Sequence, residues 1–334
     1  MGRVSIGGQA VLEGIMMKND DKYAIAIRKP DKEIELKIET YNPAGKKSAV
    51  LRLPIIRGVI NFVESMVIGV KTLTYSADFL EEEEDGGNDS EKTIESENDT
   101  KKVKPEKNVK NEKNLKVEKA DKSKSDDLLM FGTVAFAIVL AIGLFMLLPA
   151  FLVSLIDGVV KNHFLLGLIE GVVRLAIFMA YVLIISKMEE INRTYMYHGA
   201  EHKCINCLEH GDDLTVENVL KHSRFHKRCG TSFLIIVMIV SILVFMCIRT
   251  DTIWLRLLYR VLLVPVIAGL SYEFIKFAGR SESAFANVLS KPGLWVQRFT
   301  TKEPDADMVE VAITAVEGVL DWRKYLEEQR EIQS

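Results

Sequence analysis

The stretch Phe164–Ser186 reads FLLGLIEGVVRLAIFMAYVLIIS and carries only two charges, Glu170 and Arg174. About 20 consecutive apolar residues of helix cross the hydrocarbon core of a bilayer, so this segment predicts a membrane span. Glu170 and Arg174 fall one helical turn apart, which predicts a mutual ion pair inside the span. Three further apolar runs, Leu128–Ile156, Phe233–Ile248 and Ile253–Phe277, give the same reading; the third in chain order is the shortest and extends back through Cys229-Gly230-Thr231-Ser232. The expected fold class is an α-helical polytopic membrane protein with about four transmembrane helices arranged as two hairpins.

Working outward, the short connections Asp157–His163 and Arg249–Thr252 hold little Lys or Arg, whereas 187–228 and the segment before the first span hold many. Basic segments stay on the cytoplasmic side, which predicts a multi-pass protein of the cell membrane with both termini and the 187–232 loop in the cytoplasm. Met1–Gly14 has one basic residue and no continuous apolar core, so it does not read as a signal peptide. A net charge of -3 argues against nucleic acid as a partner and leaves the lipid bilayer as the one partner implied. Four cysteines are too few for a disulfide framework, and a cytoplasmic loop keeps thiols available for metal.

The flanking segments divide the chain further. In 1–80, Tyr23–Arg28 and Glu33–Glu39 alternate apolar and polar residues around Lys29-Pro30-Asp31-Lys32, predicting a small β-hairpin with one wet face. Pro54–Leu80 has helical apolar spacing broken by Arg57, Glu64 and Lys71, which predicts an amphipathic helix lying on the membrane or packed on the bundle. Residues 81–127 form a charged stretch too poor in large apolar side chains to order, and read as a linker. After the span pairs 128–186 and 233–278, residues 279–334 predict a cytosolic amphipathic helix, opened by a capping-box-like Thr300-Thr301-Lys302-Glu303-Pro304 and continued by Met308, Val309, Ala312, Ala315, Val316, Val319 and Leu320.

Chemistry concentrates in the central loop, where five of six histidines and three of four cysteines lie between His198 and Cys229. In a continuous helix His198 and His202 share one face and can share one metal ion, zinc first, with Glu201 beside them as general base. His-x-x-Glu-His is also the short pattern of inverted zinc peptidases, although Gly199 disfavours the helix by about 1 kcal/mol. A second reading takes Cys204-x-x-Cys207 and His226-x-x-Cys229 as the four ligands of a closed structural zinc site. Glu273, expected at the cytoplasmic end of the last span, is a further candidate ligand. Two segments carry paired readings: Gly7–Gly14 forms a tight turn or delivers Glu13 or Gln9 to the site, and Arg57, Gly58, Asn61 and Glu64 line a packing face or the site.

Taken together, Gly7–Gly14, Pro54–Gly58, Tyr197–Lys203, Leu214–Asn218, Arg228–Phe233 and Thr300–Pro304 resemble the YqhQ-like bacterial membrane family over nearly the whole chain, the 81–127 linker excepted. The resemblance implies a bacterial inner-membrane location and a metal-dependent enzyme whose substrate the family does not supply. The family pattern is less fixed beyond Lys203, which implies His198, Glu201 and His202 with His226 or Cys229 rather than the full cysteine set. The leading expectation is a zinc-dependent hydrolase at the cytoplasmic face; the rival is a non-enzymatic membrane scaffold or adaptor folded around structural zinc.

Overall fold

The computed structural model describes residues 4, 6–43, 51, 53–88, 132–156, 158–248, 252–280 and 283–333. Strands β1 (Ile6–Val11), β2 (Gly14–Asn19), β3 (Lys22–Arg28) and β4 (Ile34–Thr40) form an antiparallel sheet in chain order. The expected hairpin is β3–β4, with Tyr23 opposite Glu39 and Ile27 opposite Glu35. The Gly7–Gly14 segment is not a turn packed on the bundle but strand β1 and the start of β2. Its glycines hid the alternation, and they are there because a Cβ on Gly14 would sit 2.3 Å from the Ala26 carbonyl and one on Gly8 would sit 2.7 Å from that of Met16.

The one-wet-face expectation fails for β3, which is buried on both sides. Tyr23, Ile25 and Ile27 face Ile68 and Tyr75 of helix α1 (Ile56–Asn88), together with Val11, Met16 and Tyr41. Ala26 faces the opposite way, into a larger core with Ile15, Met17, helix α4 (Glu189–His210) and helix α9 (Ala306–Val319). Small side chains on that face let α9 approach closely: a Cβ on Gly318 would lie 2.7 Å from that of Ala24. Helix α1 extends to Asn88, eight residues into the stretch read as linker, and 89–127 lies outside the described residues.

Among the described residues three helices are long and apolar enough to cross a membrane by length and composition: α2 (Gly132–Ser154), α3 (His163–Ile185) and Leu258–Ala278 within α7 (Ile253–Arg280). The fourth expected span is the shorter apolar helix α6 (Gly230–Met246). Helices α3 and α6 meet at small residues, the close approach that favours packing in lipid. A Cβ on Gly171 would lie 2.5 Å from Ile242, and one on Gly167 would lie 3.2 Å from Met246. Helix α1 docks on α7 in the same way, with Gly58 over Gly269, and Arg57 Nε donates to Glu273 at 2.6 Å.

The Glu170–Arg174 pair forms, at 3.0 Å, and gains a member the sequence did not suggest. Arg260 of α7 donates to the same carboxylate at 2.6 Å, and both guanidinium groups lie over the Phe245 ring of α6. Arg174 Nε also donates at 3.0 Å to the carbonyl of Phe145, in a π-helical turn of α2 that leaves such groups in need of partners.

The C-terminal region holds three helices in place of the one expected: α8 (Ala284–Thr300), α9 and α10 (Trp322–Gln333), with α5 (Val216–Lys221) between α4 and α6. Pro292 and Gly293 masked α8 in the sequence; Gly293 passes so near Ser232 that a Cβ there would lie 2.6 Å from it. Thr300 and Thr301 end α8 and do not cap α9, whose N-cap is Asp305, accepting the Met308 amide at 2.8 Å.

Removing Glu170 strands two buried arginines. Glu170→Ala is expected to destabilise the helical bundle by on the order of 3–5 kcal/mol, the cost of breaking a buried ion pair from one side. Thermal unfolding in detergent reads this, and an unchanged melting temperature would show that the cluster contributes nothing to stability.

Candidate metal centre

Helix α4 runs unbroken through Gly199, so His198 and His202 stand one turn apart with ring centroids 4.4 Å apart. Gly199 is tolerated because the chain leaving α8 crosses α4 there, where a Cβ would lie 1.9 Å from the Lys302 carbonyl oxygen. That crossing brings the Thr300 carbonyl to His198, whose Nδ1–H donates to it at 2.9 Å. His202 Nδ1–H donates to the Arg224 carbonyl at 2.7 Å. A carbonyl only accepts, so in each ring the proton is fixed on Nδ1 and Nε2 is turned toward the other's neighbour.

Both Nε2 atoms face Cys229, and the three ligand atoms lie within 4.8 Å of one another. His198 Nε2 is 3.2 Å from the Cys229 sulfur. His202 Nε2 is buried and has no hydrogen-bond partner. Cys229 is the N-cap of α6, where its sulfur accepts the Thr231 amide at 3.4 Å and lies 3.0 Å from the Thr231 hydroxyl. Burial raises its thiol, but the His198 and His202 imidazoles outweigh burial and hold it well below the usual thiol range. Burial likewise lowers His198, while the Cys229 sulfur, with Glu201 adding to it, lifts it to about 9. His202 and Cys229 are buried and His198 keeps partial exposure, so the cluster has a solvent-facing side.

The surrounding loop is laced to α4 and α8. Lys203 donates to the carbonyls of Leu220 and His222 at 2.9 and 2.8 Å and pairs with Glu303 at 2.9 Å. Asn206 donates to Ser223 and Phe225, and Arg224 donates to the Thr301 carbonyl at 2.6 Å. Gln297, fully buried on α8, accepts the His226 amide at 2.9 Å and donates to the His226 carbonyl at 2.8 Å. Nothing in the sequence singled out Gln297 or Arg224; their roles arise from backbone contacts, which carry no residue signature.

The remaining candidates fall elsewhere. Glu201 is buried beside β1, its carboxyl carbon 3.0 Å from where a Cβ on Gly8 would lie, and no metal-ligand group of described residues includes it. His226 lies next to the cluster, its ring 5.7 Å from that of His202, but its Nε2 faces Glu209 at 3.3 Å. Glu273 is engaged by Arg57. Cys204 and Cys207 are in the apolar core shared with α9; burial pushes Cys204 well above the thiol range and Cys207 to about 12. Their positions follow from helix geometry, since two and five residues from His202 are about 200° and 140° around the axis, both away from its face. Glu13 accepts both nitrogens of an Arg193 fork at 2.5 Å, which holds it in its positive-φ turn away from the cluster. Gln9 packs against Gly69 of α1.

Comparison with known proteins agrees with the resemblance read from the sequence. The family described as "Protein of unknown function (DUF1385)" matches residues 53–322. A curated relative, "Uncharacterized protein YqhQ" of Bacillus subtilis (strain 168), is 33% identical over 323 residues, covering 94% of this chain and 92% of the relative. No solved structure matches.

The crossing at Gly199 is the most demanding contact around the cluster. Gly199→Ala is expected to push Lys302 off α4 and destabilise the folded protein by about 1–3 kcal/mol, the range for overpacking. Ala200→Gly, one residue on, loses about 1 kcal/mol of helix propensity together with a buried methyl group in the core. A Gly199→Ala melt unchanged from that of the wild-type protein would contradict the crossing.

Proposed function

We propose that this chain, which belongs to the DUF1385 family, is a zinc-dependent hydrolase of the cell membrane whose site is built from His198, His202 and Cys229 at the cytoplasmic face. The observation that carries the reading is the buried, partnerless Nε2 of His202, aimed with His198 Nε2 at the Cys229 sulfur. A buried acceptor without a partner is costly unless something fills the place of a donor. Two imidazoles with their outer nitrogens tied to carbonyls, and a thiolate-favouring cysteine at a helix N-terminus, are a donor set that fits zinc.

Zinc held by His198, His202 and Cys229 would supply Lewis acidity. The chain's own residues do the rest. Thr300 and Arg224 orient the imidazoles through their carbonyls, and Thr231 orients the sulfur. Glu201, one position before His202 and near enough to raise the His198 imidazole, is the carboxylate we assign to take a proton and return it to a leaving group. Three ligands in place of four favour this reading over a scaffold with closed structural zinc, since Cys204 and Cys207 are in the core.

The membrane arrangement belongs to the same proposal. Helix α6 has 17 residues, the lower end of the spanning range, and with α2, α3 and α7 makes four spans. Lysine- and arginine-rich segments on one side support a cytoplasmic site and cytoplasmic termini.

Purified full-length protein is expected to hold one zinc per chain. His202→Ala and Cys229→Ser lose it, Cys204→Ser keeps it, and Glu201→Gln keeps metal and fold while losing hydrolysis of a bacterial membrane extract followed by mass spectrometry. Zinc retained by His202→Ala, or lost from Cys204→Ser alone, would overturn the site; unchanged hydrolysis by Glu201→Gln would overturn the role of the carboxylate.

A further inference from the structure

Helix α8 lies across the start of α6 and not along it. Lys227 donates to Asn287 Oδ1 at 2.8 Å, Gly293 rests on Ser232, and the Thr300 hydroxyl donates to that of Thr231 at 3.4 Å. From Asn287 to Thr300 is about 20 Å of helix at 1.5 Å per residue. The partners nevertheless all fall on the residues leading into α6 or on its first turn. Helix α8 also begins shortly after Ala278, where the part of α7 long and apolar enough to cross a membrane ends. It therefore sits crosswise at one end of the apolar helices.

The surface of α8 divides into three sectors. Ala286, Ser290, Gln297 and Thr300 are buried, and the last two hold His226 and His198 from this side. The outward side is apolar: Phe285 is 65% exposed, Val288 59% and Trp295 50%, with Pro292 exposed between them and the Phe299 ring edge-on to Trp295 at 5.3 Å. At about 100° per residue this stripe is about 80° wide from Trp295 to Phe285, and Lys291 and Arg298 follow about 40° and 60° beyond Trp295. Both cations are exposed, and neither is paired with a carboxylate among the described residues. The segment 284–300 contains no Asp or Glu.

We propose that the outer face of α8 rests on an anionic phospholipid surface, with Phe285, Val288 and Trp295 at the boundary of headgroups and acyl chains and Lys291 and Arg298 on lipid phosphates. An apolar stripe edged by cations, on a helix crosswise to the spans, is the form that lies in a membrane interface, where tryptophan is also favoured. The stripe continues the exposed apolar side of α7, whose Phe277, just before Ala278, is 52% exposed. Charge of one sign selects the lipid: two cations without a neighbouring carboxylate on the helix favour anionic over zwitterionic headgroups. The contact rests on the membrane arrangement proposed above and is independent of zinc and of hydrolysis. It sets the histidine cluster one helix diameter, about 10 Å, from the lipid surface.

The test uses full-length protein reconstituted into phosphatidylcholine vesicles with a minor fraction of phosphatidylglycerol. Trp295 fluorescence is the difference between Trp254→Phe and Trp254→Phe/Trp295→Phe proteins. Bromines near the top of the acyl chains are expected to quench Trp295 more than bromines near the chain ends, and aqueous acrylamide is expected to quench it little. Brominated phosphatidylglycerol is expected to quench at least about twofold more than the same fraction of brominated phosphatidylcholine. Lys291→Gln/Arg298→Gln is expected to abolish that preference without moving the melting temperature. Quenching by acrylamide and not by lipid, shielding from both as a protein partner or second copy would give, equal quenching by the two lipids, or a preference that survives the double substitution would overturn the proposal. Val266→Trp, on an exposed position of α7 near the middle of its apolar stretch, separates the two readings when placed in the Trp254→Phe/Trp295→Phe protein. Deep bromines are expected to quench it. If they do not, the spanning reading fails and this contact with it; if they do while Trp295 stays unquenched by lipid, this contact alone fails.

Discussion

Where the chain leaves α8 it passes over α4 with a carbonyl oxygen at the place a side chain would occupy on Gly199, and much of the molecule follows from that contact. It puts the Thr300 carbonyl at His198 and sends the chain on to Asp305, where α9 begins its path across the sheet. Lys203 of α4 and Arg224 of the loop that follows α5 both reach Glu303, so the crossing is clamped from two elements. A glycine that reads as a weak point in a helix is therefore the reason the helix can carry a site. The helix loses about 1 kcal/mol of intrinsic propensity and gains an oriented imidazole.

The sheet couples this cluster to the long apolar helices. Its inner face packs on α4 and α9, which carry and brace the histidines, and its outer face packs on α1, which is joined to a membrane span by Arg57, Gly58 and Asn61. Lys71 of α1 adds a link through Glu39 of β4, whose carboxyl that ammonium and the Tyr23 hydroxyl hold down to about 2. The strands are thus an adaptor between α1 and a buried polar cluster, which explains why β3 has no wet face.

Much of this was legible in the sequence where the signal is local. Hydropathy marks the long apolar helices, alternation marks β3 and β4, and the four-residue spacing of His198 and His202 marks a shared face. The paired cysteines misled because ligand spacing alone ignores which side of α4 each residue occupies; Cys204 and Cys207 point away from the histidines into the core. Glycine and proline were the other source of error. In β1, β2 and α8 they mark close backbone approaches, at Met16, Ala26 and Ser232, that exist only once the tertiary structure does. Glu273 looked available because its partner, Arg57, is 216 residues away.

The position of the cluster also constrains the membrane helices. His198 and His202 stand on a helix that follows α3 after a short break, and Cys229 caps the first turn of α6, so the three side chains sit at the same end of two antiparallel helices. Any sliding of α6 along α3 would change the sulfur-to-nitrogen distances directly. The far ends of these helices carry the restraint: Gly167 and Gly171 of α3 fit against Met246 and Ile242 of α6. Glu170 meanwhile ties α3 to Arg260 of α7, with Phe245 of α6 beneath both guanidinium groups. Charged groups are expensive to bury, and a cluster that fixes three helices in register gives them a reason to be there. The buried ions and the histidine cluster are then two ends of one device, the first holding the register that the second needs.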